Sequence, residues 1–157
     1  TMHGRGAETR AAPDAGGLED ASTLAHTPKY ASPYDGPNRG ALPRPPKSGD
    51  KTTHQIDPGN SRDPLSEAEL DVAEGADMVM VKPAGPYLDI VRAVAEHVDV
   101  PVAAYQVSGE YLMIKSAAAA GWLDEKAVVM EALLGIRRAG ASVILSYFAK
   151  DVARWLA

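Results

Sequence analysis

The sequence contains no cysteine, few aromatic residues (6%) and no long apolar segment. Without cysteine, the chain has no disulfide, no thiolate zinc site and no cysteine nucleophile. No apolar run reaches the roughly 20 residues of a membrane-spanning helix, and the first residues lack the apolar core of a secretory signal. We therefore expect a cytoplasmic protein with no membrane partner.

The sequence also has no excess of positive charge. The formal net charge is −5 and the pI is near 5.3. Domains that bind nucleic acid normally carry a basic patch, so we expect no nucleic-acid partner. The 157 residues, 45% of them hydrophobic, suffice for one domain with a buried core.

Proline and glycine divide the chain into two regions. Residues 1–64 hold most of the 12 prolines and most of the 14 glycines. We expect residues 1–61 to be an irregular region and residues 62–157 to be a compact α/β unit. Within the first region, the pattern predicts only a short helix at 7–12 and a weak strand within 21–27.

Strands and helices alternate from residue 63 onward. Asp63 and Pro64 form a helix start, with Asp63 as the N-cap. The strands are rich in β-branched apolar residues, which is typical of a parallel sheet covered by helices. Three clear strands and the weak one make about half of an eight-stranded barrel, so the fold class is α/β, a partial (β/α)₈ barrel. The predicted strands are 78–81, 98–104 and 142–147, and the predicted helices are 63–74, 87–95, 109–120, 124–138 and 152–156.

Lys82 directly follows the most apolar of these strands. Burying an ammonium group is costly, and a buried lysine usually responds by losing its proton. A neutral amine is a nucleophile that can form a Schiff base with a ketone or aldehyde. The alternative is that Lys82 extends out of the strand end into solvent.

The other strand ends carry polar groups as well. Lys29 follows the weak strand, residues 105–108 (Tyr-Gln-Val-Ser) end the third strand, and Tyr147 ends the fourth. In parallel barrels, the chemistry takes place where the strands end. Polar groups at four equivalent positions favour a functional role for Lys82 over a solvated one.

Three segments identify the family. Residues 80–91, 104–111 and 138–149 (Met-Val-Lys-Pro-Ala-Gly, Ala-Tyr-Gln-Val-Ser-Gly-Glu-Tyr and Arg-Ala-Gly-Ala-Ser-Val-Ile-Leu-Ser-Tyr at their cores) resemble the porphobilinogen synthases, also called delta-aminolevulinic acid dehydratases. The resemblance is close over 62–157, the C-terminal half of the barrel, and looser through 1–61.

The resemblance implies a lyase of haem and porphyrin biosynthesis. Such an enzyme condenses two molecules of 5-aminolevulinate to porphobilinogen, with loss of water, through lysine Schiff bases. Lys82 then corresponds to the lysine that holds the propionate-side substrate, and Lys29 to the second lysine. Two amines that face one dry cavity would favour each other's neutral form. The alternative for Lys29 is an ordinary loop lysine.

The resemblance also implies receptors for the two substrate carboxylates. Ser108 and Tyr147 would bind one carboxylate, and hydroxyl groups can donate such hydrogen bonds. Arg39, Lys51 and Gln55 would bind the other through a lid. The alternatives are a helix N-cap for Ser108 and a tyrosine at the core edge for Tyr147.

The lid region departs from the family pattern. Lys51 stands where arginine is usual, and lysine lacks the bidentate guanidinium fork. His54 replaces an aromatic residue, Asp35 and Asn38 interrupt an aromatic-flanked Gly-Pro, and His3 stands where aspartate is usual. These changes predict an altered second substrate site.

For metals, the resemblance implies an allosteric magnesium at Glu67. One carboxylate with several waters is typical of magnesium ligation. The alternative is that Glu67 only complements the dipole of its helix. The catalytic zinc or magnesium of the family belongs to a region outside this chain, and the full-length enzyme would be a homo-oligomer.

Two other functions stay open. The chain is shorter than the family barrel, which predicts either an inactive truncated remnant or a fragment that depends on association through exposed strand edges. A Schiff-base aldolase acting on another ketone would share Lys82 but leave the residues at 106–108 unexplained.

Overall fold

The fold is built on a parallel sheet. A computed structural model describes residues 5–36 and 54–157 and contains a four-stranded sheet in the order β1-β2-β3-β4. All neighbouring strands are parallel, as the alternating pattern predicted. The strands are β1 (Leu24–Ala25), β2 (Met78–Val81), β3 (Val102–Gln106) and β4 (Val143–Ser146).

Helices connect the strands. Short 3₁₀ turns cover Pro33–Asp35 and Gly85–Tyr87. No helix in the described ranges combines the length and apolar character needed to cross a membrane. The helices are α1 (Arg5–Ala15), α2 (Asp63–Ala73), α3 (Leu88–His97), α4 (Ser108–Ala119), α5 (Glu125–Ala139) and α6 (Ala149–Leu156).

The core lies between the sheet and the helices on one of its faces. Val79 and Val81 of β2 are fully buried, together with Val91 and Val94 on the apolar side of α3. Ile136 of α5 closes the same cluster. Burying each of these side chains stabilises the fold by about 1.5–3 kcal/mol. The central strands and their helices therefore form a rigid frame for the residues at the strand ends.

The structure corrects several predicted boundaries, and the last helix begins at Ala149 rather than at residue 152. The third strand begins at Val102 rather than at Val98, because Pro101 has no N–H group to donate in a central strand. Asp63 is the first helical residue of α2 and not its N-cap. The orphan N–H groups of Arg62 and Asp63 instead donate to the side chain of Asn60, at 3.0 and 3.1 Å.

The N-terminal region contributes to the same sheet. β1 is shorter than the predicted strand, whereas α1 is longer than the predicted helix at 7–12. Tyr30 is fully buried and stacks on Tyr87, with ring centroids 3.9 Å apart. The division of the chain at residue 61 stays a prediction.

Candidate active site

Lys29 and Lys82 face each other across neighbouring strands. The two residues form a parallel β-bridge beyond the ends of β1 and β2. The N–H of Lys82 donates to the carbonyl of Pro28 (3.1 Å), and the N–H of Tyr30 donates to the carbonyl of Lys82 (3.0 Å). Paired residues of adjacent strands project to the same face of a sheet. The fold therefore places the two lysines side by side on neighbouring strands.

Tyr30 fixes the segment that carries Lys29. Besides stacking on Tyr87, its hydroxyl donates to the carbonyl of Asn60 at 2.8 Å. The backbone N–H of Ile56 donates to the carbonyl of Lys29, and the N–H of Ala31 donates to the carbonyl of Ile56 (2.9 Å each). Backbone pairing on both sides thus extends β1 through Lys29.

The Lys29 amine contacts a buried carboxylate. Its Nζ donates to Oδ2 of Asp35 and, at 2.7 Å, to the carbonyl of Tyr30. Asp35 is only 6% exposed and ends the 3₁₀ turn that follows Ser32. The Ser32 hydroxyl caps this turn by accepting from the N–H of Tyr34 at 3.2 Å. The turn therefore brings a carboxylate back to the lysine six residues before it.

The Lys82 amine lies over an aromatic ring. Its Nζ is 4.4 Å from the centroid of Tyr105, which is on the neighbouring strand β3. A cation over a ring face is stabilised by about 0.5–2 kcal/mol, depending on its desolvation. The pKa of His26 is lowered by desolvation and, secondarily, by the positive charge of Lys82. Lys82 is therefore held at the strand end within reach of two neighbours.

Tyrosines line the sheet edge at the ends of β3 and β4. The rings of Tyr105 and Tyr147 are tilted, with centroids 6.3 Å apart, and Tyr111 lies 5.5 Å from Tyr147. Burial, followed by a hydrogen bond to Tyr147, raises the pKa of Tyr105. Tyr147 is 47% exposed, so it borders the site rather than the core.

A buried polar contact sets the spacing of Ser108 and Tyr147. Gln106 and Ser146 are register partners at the ends of β3 and β4, and the Ser146 hydroxyl donates to Oε1 of Gln106 at 2.6 Å. The N–H of Phe148 in turn donates to Ser146 Oγ at 3.0 Å. Ser108 is the first residue of α4, and the N-cap is Val107. The N-cap alternative for Ser108 is therefore wrong.

Glu110 joins the Lys82 loop to the start of α4. Its carboxylate accepts from the backbone N–H groups of Gly85 (2.7 Å), Val107 (2.8 Å) and Ala84 (3.4 Å). The pKa of Glu110 is raised by burial, although these hydrogen bonds act in the opposite direction. A Cβ atom at Gly85 would lie 2.7 Å from Glu110 Oε1, so glycine permits this contact.

A cavity of roughly 590 Å³ lies beside Lys29. Gln55 and Glu67 are among its lining residues, as are His26 and His54. Oε1 of Gln55 is buried and has no hydrogen-bond partner in the described part of the chain. A buried acceptor without a donor costs about 1–3 kcal/mol, which a ligand N–H group could recover.

The remaining predicted residues are distributed unevenly. Ser108 and Tyr147 lie at the same edge as the two lysines, whereas Gln55 and Glu67 lie at the cavity. Arg39 and Lys51 lie outside the described residues.

Sequence reasoning missed the roles of Asp35 and Glu110 as partners of the lysine loops. Neither residue left a sequence signal, because the capping-box pattern that would mark Glu110 needs serine or threonine at the N-cap, where Val107 stands.

A metal site needs several ligand side chains close together. Within residues 5–36 and 54–157, no three side chains of histidine, aspartate or glutamate form a group that could hold a metal ion. Glu67 stands in the second turn of α2 and is half-buried at the cavity. A single carboxylate fits a largely hydrated magnesium ion but not a catalytic zinc site, which needs three protein ligands.

Comparison with known proteins gives consistent matches along the whole chain. A model of the delta-aminolevulinic acid dehydratase family matches residues 1–155. The delta-aminolevulinic acid dehydratase of Synechococcus elongatus is 56% identical over 156 residues, which are 99% of this chain and 48% of that protein. The Mycobacterium tuberculosis protein of the same name is 54% identical over 155 residues, which are 99% of this chain and 47% of that one.

One solved structure also has a similar fold. The Toxoplasma gondii delta-aminolevulinic acid dehydratase, crystallised with the reaction product porphobilinogen, superposes with a TM-score of 0.94 at 48% identity. The superposition covers 98% of this chain and 44% of that one. The chain thus spans about half the length of the relatives it matches, and the partial barrel predicted from the sequence is confirmed.

Proposed function

The chain belongs to the delta-aminolevulinic acid dehydratase family, and from this premise we propose that it carries the Schiff-base half of a porphobilinogen synthase site. The reaction is the condensation of two 5-aminolevulinate molecules to porphobilinogen with loss of water. The observation that carries this proposal is the bridge between Lys29 and Lys82 at the ends of adjacent parallel strands. Two substrates attached to these amines would lie side by side.

Lys82 attaches the first substrate. After its ammonium group gives up a proton to solvent, the Lys82 amine attacks the substrate ketone, and loss of water leaves an iminium ion that withdraws electrons from the neighbouring carbon. The Tyr105 ring lies under the amine and also favours a positive charge at the iminium nitrogen. The ring thereby stabilises the form that activates the substrate for carbon–carbon bond formation.

Lys29 attaches the second substrate. The cavity beside it supplies room, and the unpartnered Oε1 of Gln55 would accept a hydrogen bond from the amino group of 5-aminolevulinate. We propose Arg39 and Lys51 as receptors for the carboxylate of this substrate. A lysine at position 51 would bind that carboxylate through a single charge rather than a fork.

Ser108 and Tyr147 bind the carboxylate of the first substrate in this proposal. Both residues lie within two positions of the ends of β3 and β4, and the Gln106–Ser146 hydrogen bond joins those two strand ends. The start of α4 adds backbone N–H groups, which favour an anion. Two hydroxyl donors on rigid elements would orient the substrate without neutralising its charge.

We propose one metal-binding residue, for magnesium. Glu67 would hold a hydrated magnesium ion at the cavity, which Lys29 also lines. The metal dependence that the family implies is not used in any step at Lys29 or Lys82. The cytoplasmic location and the homo-oligomeric state of a full-length protein stay predictions.

Intact-mass analysis after borohydride reduction tests the proposal. Reduction in the presence of 5-aminolevulinate should add the mass of one or two substrate molecules per chain. Levulinate, which has the ketone and carboxylate but no amino group, should compete weakly, whereas pyruvate should not compete. Strong competition by pyruvate would favour the aldolase alternative, and a folded protein without any adduct would contradict the proposal.

A second candidate rests on the sheet edges. Among the described strands, β4 pairs on one side only, and β1 does so over Leu24–Ala25. Unpaired edges favour association with another chain. The chain would then be inactive alone and active only when another sheet completes the site. Adduct formation that increases with protein concentration would favour this candidate.

A further inference from the structure

Asp35 is a buried carboxylate at the proposed site to which none of the steps above assigns a role. It is 6% exposed, and Lys29 Nζ donates directly to its Oδ2. Its negative charge also contributes to raising the pKa of Tyr105 and that of Glu110. The charge of Asp35 thus acts on Lys29 and on two groups around the Lys82 loop.

The Lys29 amine needs a proton acceptor before it can react. An ammonium group has no free electron pair, so it must lose a proton before it attacks a ketone. Lys29 Nζ donates to the Tyr30 carbonyl, which cannot take up a proton, and to the Asp35 carboxylate, which can. Asp35 is therefore already in position for this transfer.

The neighbouring titratable groups are less suited to the task. Tyr105 has a raised pKa and remains a protonated phenol near neutral pH, so it cannot accept a proton. Glu110 is occupied by three backbone N–H donors. The contact with Lys29 belongs to Asp35 because the 3₁₀ turn at Pro33–Asp35 directs it there.

We infer that Asp35 is the general acid–base residue for Schiff-base formation at Lys29. It accepts one proton from the Lys29 ammonium, and the free amine adds to the substrate ketone to form a carbinolamine. The protonated Asp35 then returns its proton to the carbinolamine hydroxyl, which leaves as water while the nitrogen electron pair forms the iminium bond. Ammonium and ketone become iminium and water, and Asp35 ends as a carboxylate. The inference rests on the proposed function.

Site-resolved trapping rates test the inference. The protein is reduced with cyanoborohydride during incubation with 5-aminolevulinate, and peptide mapping gives one rate for Lys29 and one for Lys82. In Asp35→Asn, the rate at Lys29 should fall by about 100-fold, since general acid–base groups contribute roughly 10²–10⁴-fold. The rate at Lys82 should not change, which also shows that the variant is folded.

Rescue and matched variants separate catalysis from structure. Added formate should restore the Lys29 rate in Asp35→Ala, because a small acid can occupy the vacated space, and it should not affect the wild type. Asp35→Glu retains the carboxylate and should lose less of the Lys29 rate than Asp35→Asn. Asp89→Asn removes an exposed carboxylate from α3 and should leave both rates unchanged.

Each other outcome overturns part of the account. An equal or higher Lys29 rate in Asp35→Asn would show that the ion pair only holds the ammonium, and would overturn the inference alone. Labelling of the wild type at Lys82 but not at Lys29 would also overturn the inference alone. If Asp35→Asn loses both labels by unfolding, Asp35→Ala decides, and a Lys29 rate that formate does not raise while the Lys82 rate is retained contradicts the inference. No label at either lysine of the folded wild type would overturn the proposed function as well.

Discussion

The pKa of His26 depends on the charge of Lys82. Desolvation and then the positive charge of Lys82 lower the pKa of His26, so the neutral imidazole is favoured in the folded state. Replacing Lys82 with methionine removes the charge and leaves most of the desolvation. We expect the His26 pKa to rise in Lys82→Met, as measured by NMR titration.

The same shift has a consequence for stability. Because the His26 pKa is lower in the folded than in the unfolded chain, the unfolded chain binds more protons as the pH falls below about 6.5. The histidine therefore destabilises the fold at acid pH, and stability is regained as the pH rises through that range. Lys82→Met should weaken this dependence. An unchanged His26 pKa in the variant would contradict the placement of Lys82.

At the residue scale, the sequence identified the lysines but not their partners. Lys82 stands out because it directly follows an apolar strand, whereas Lys29 follows a weak strand and is singled out mainly by the family resemblance. The contact of Asp35 with Lys29 depends on the course of a 3₁₀ turn, and the contact of Tyr105 with Lys82 depends on the pairing of β2 with β3. No periodic pattern in the sequence predicts either contact.

At the element scale, the first turn of α4 supports both lysine loops. Glu110 binds the loop that follows Lys82, and Gly109 packs against the backbone of Tyr34, next to Asp35. A Cβ atom at Gly109 would lie 2.8 Å from the Cα of Tyr34. Backbone atoms cannot move aside as a flexible side chain can, so this glycine is required by close packing.

Two helical glycines give a matched test of this packing. Gly109→Ala should destabilise the protein by about 1–3 kcal/mol through overpacking and should slow trapping at Lys29. Gly135→Ala in α5 places its Cβ 3.9 Å from the nearest atoms and should be neutral or stabilising. Urea unfolding measures both effects. Equal stability of the two variants would show that the Tyr34 turn does not depend on Gly109.

The strands were the easiest elements to predict. Unbroken apolar runs marked β2 and β4 to within a residue. β1 has only two residues, and its membership of the sheet depends on pairing with β2 rather than on its own sequence. The start of β3 was misplaced because Val98 and Val100 are apolar but precede the proline.

At the scale of the whole molecule, the open sheet is the main feature. β4 pairs only with β3 in the described structure, and Val143 on this strand is 41% exposed. The sequence predicted a partial barrel from the number of strands, and the comparisons confirm it. The sequence could not show how Arg39 and Lys51 relate to this edge, because no periodic pattern connects them to it.

The β4 edge leads to a prediction about association. We expect the protein to associate as its concentration rises, because an unpaired apolar strand can pair with another chain. Val143→Lys should shift the protein toward the monomer in sedimentation velocity. Trp122→Lys, at a residue that is 80% exposed between α4 and α5, is the control and should have little effect. A larger effect of the control would place the contact away from β4.

Peptide mapping of the borohydride-reduced adduct tests the central claim, that the bridged lysines attach 5-aminolevulinate. The account predicts adducts on Lys82 and Lys29 and none on Lys126, an exposed lysine of α5. Lys82→Arg keeps the charge but cannot form a Schiff base, and it should lose the Lys82 adduct. Adducts spread evenly over surface lysines, or a trapped mass that survives unchanged in Lys82→Arg and Lys29→Arg together, would contradict the account.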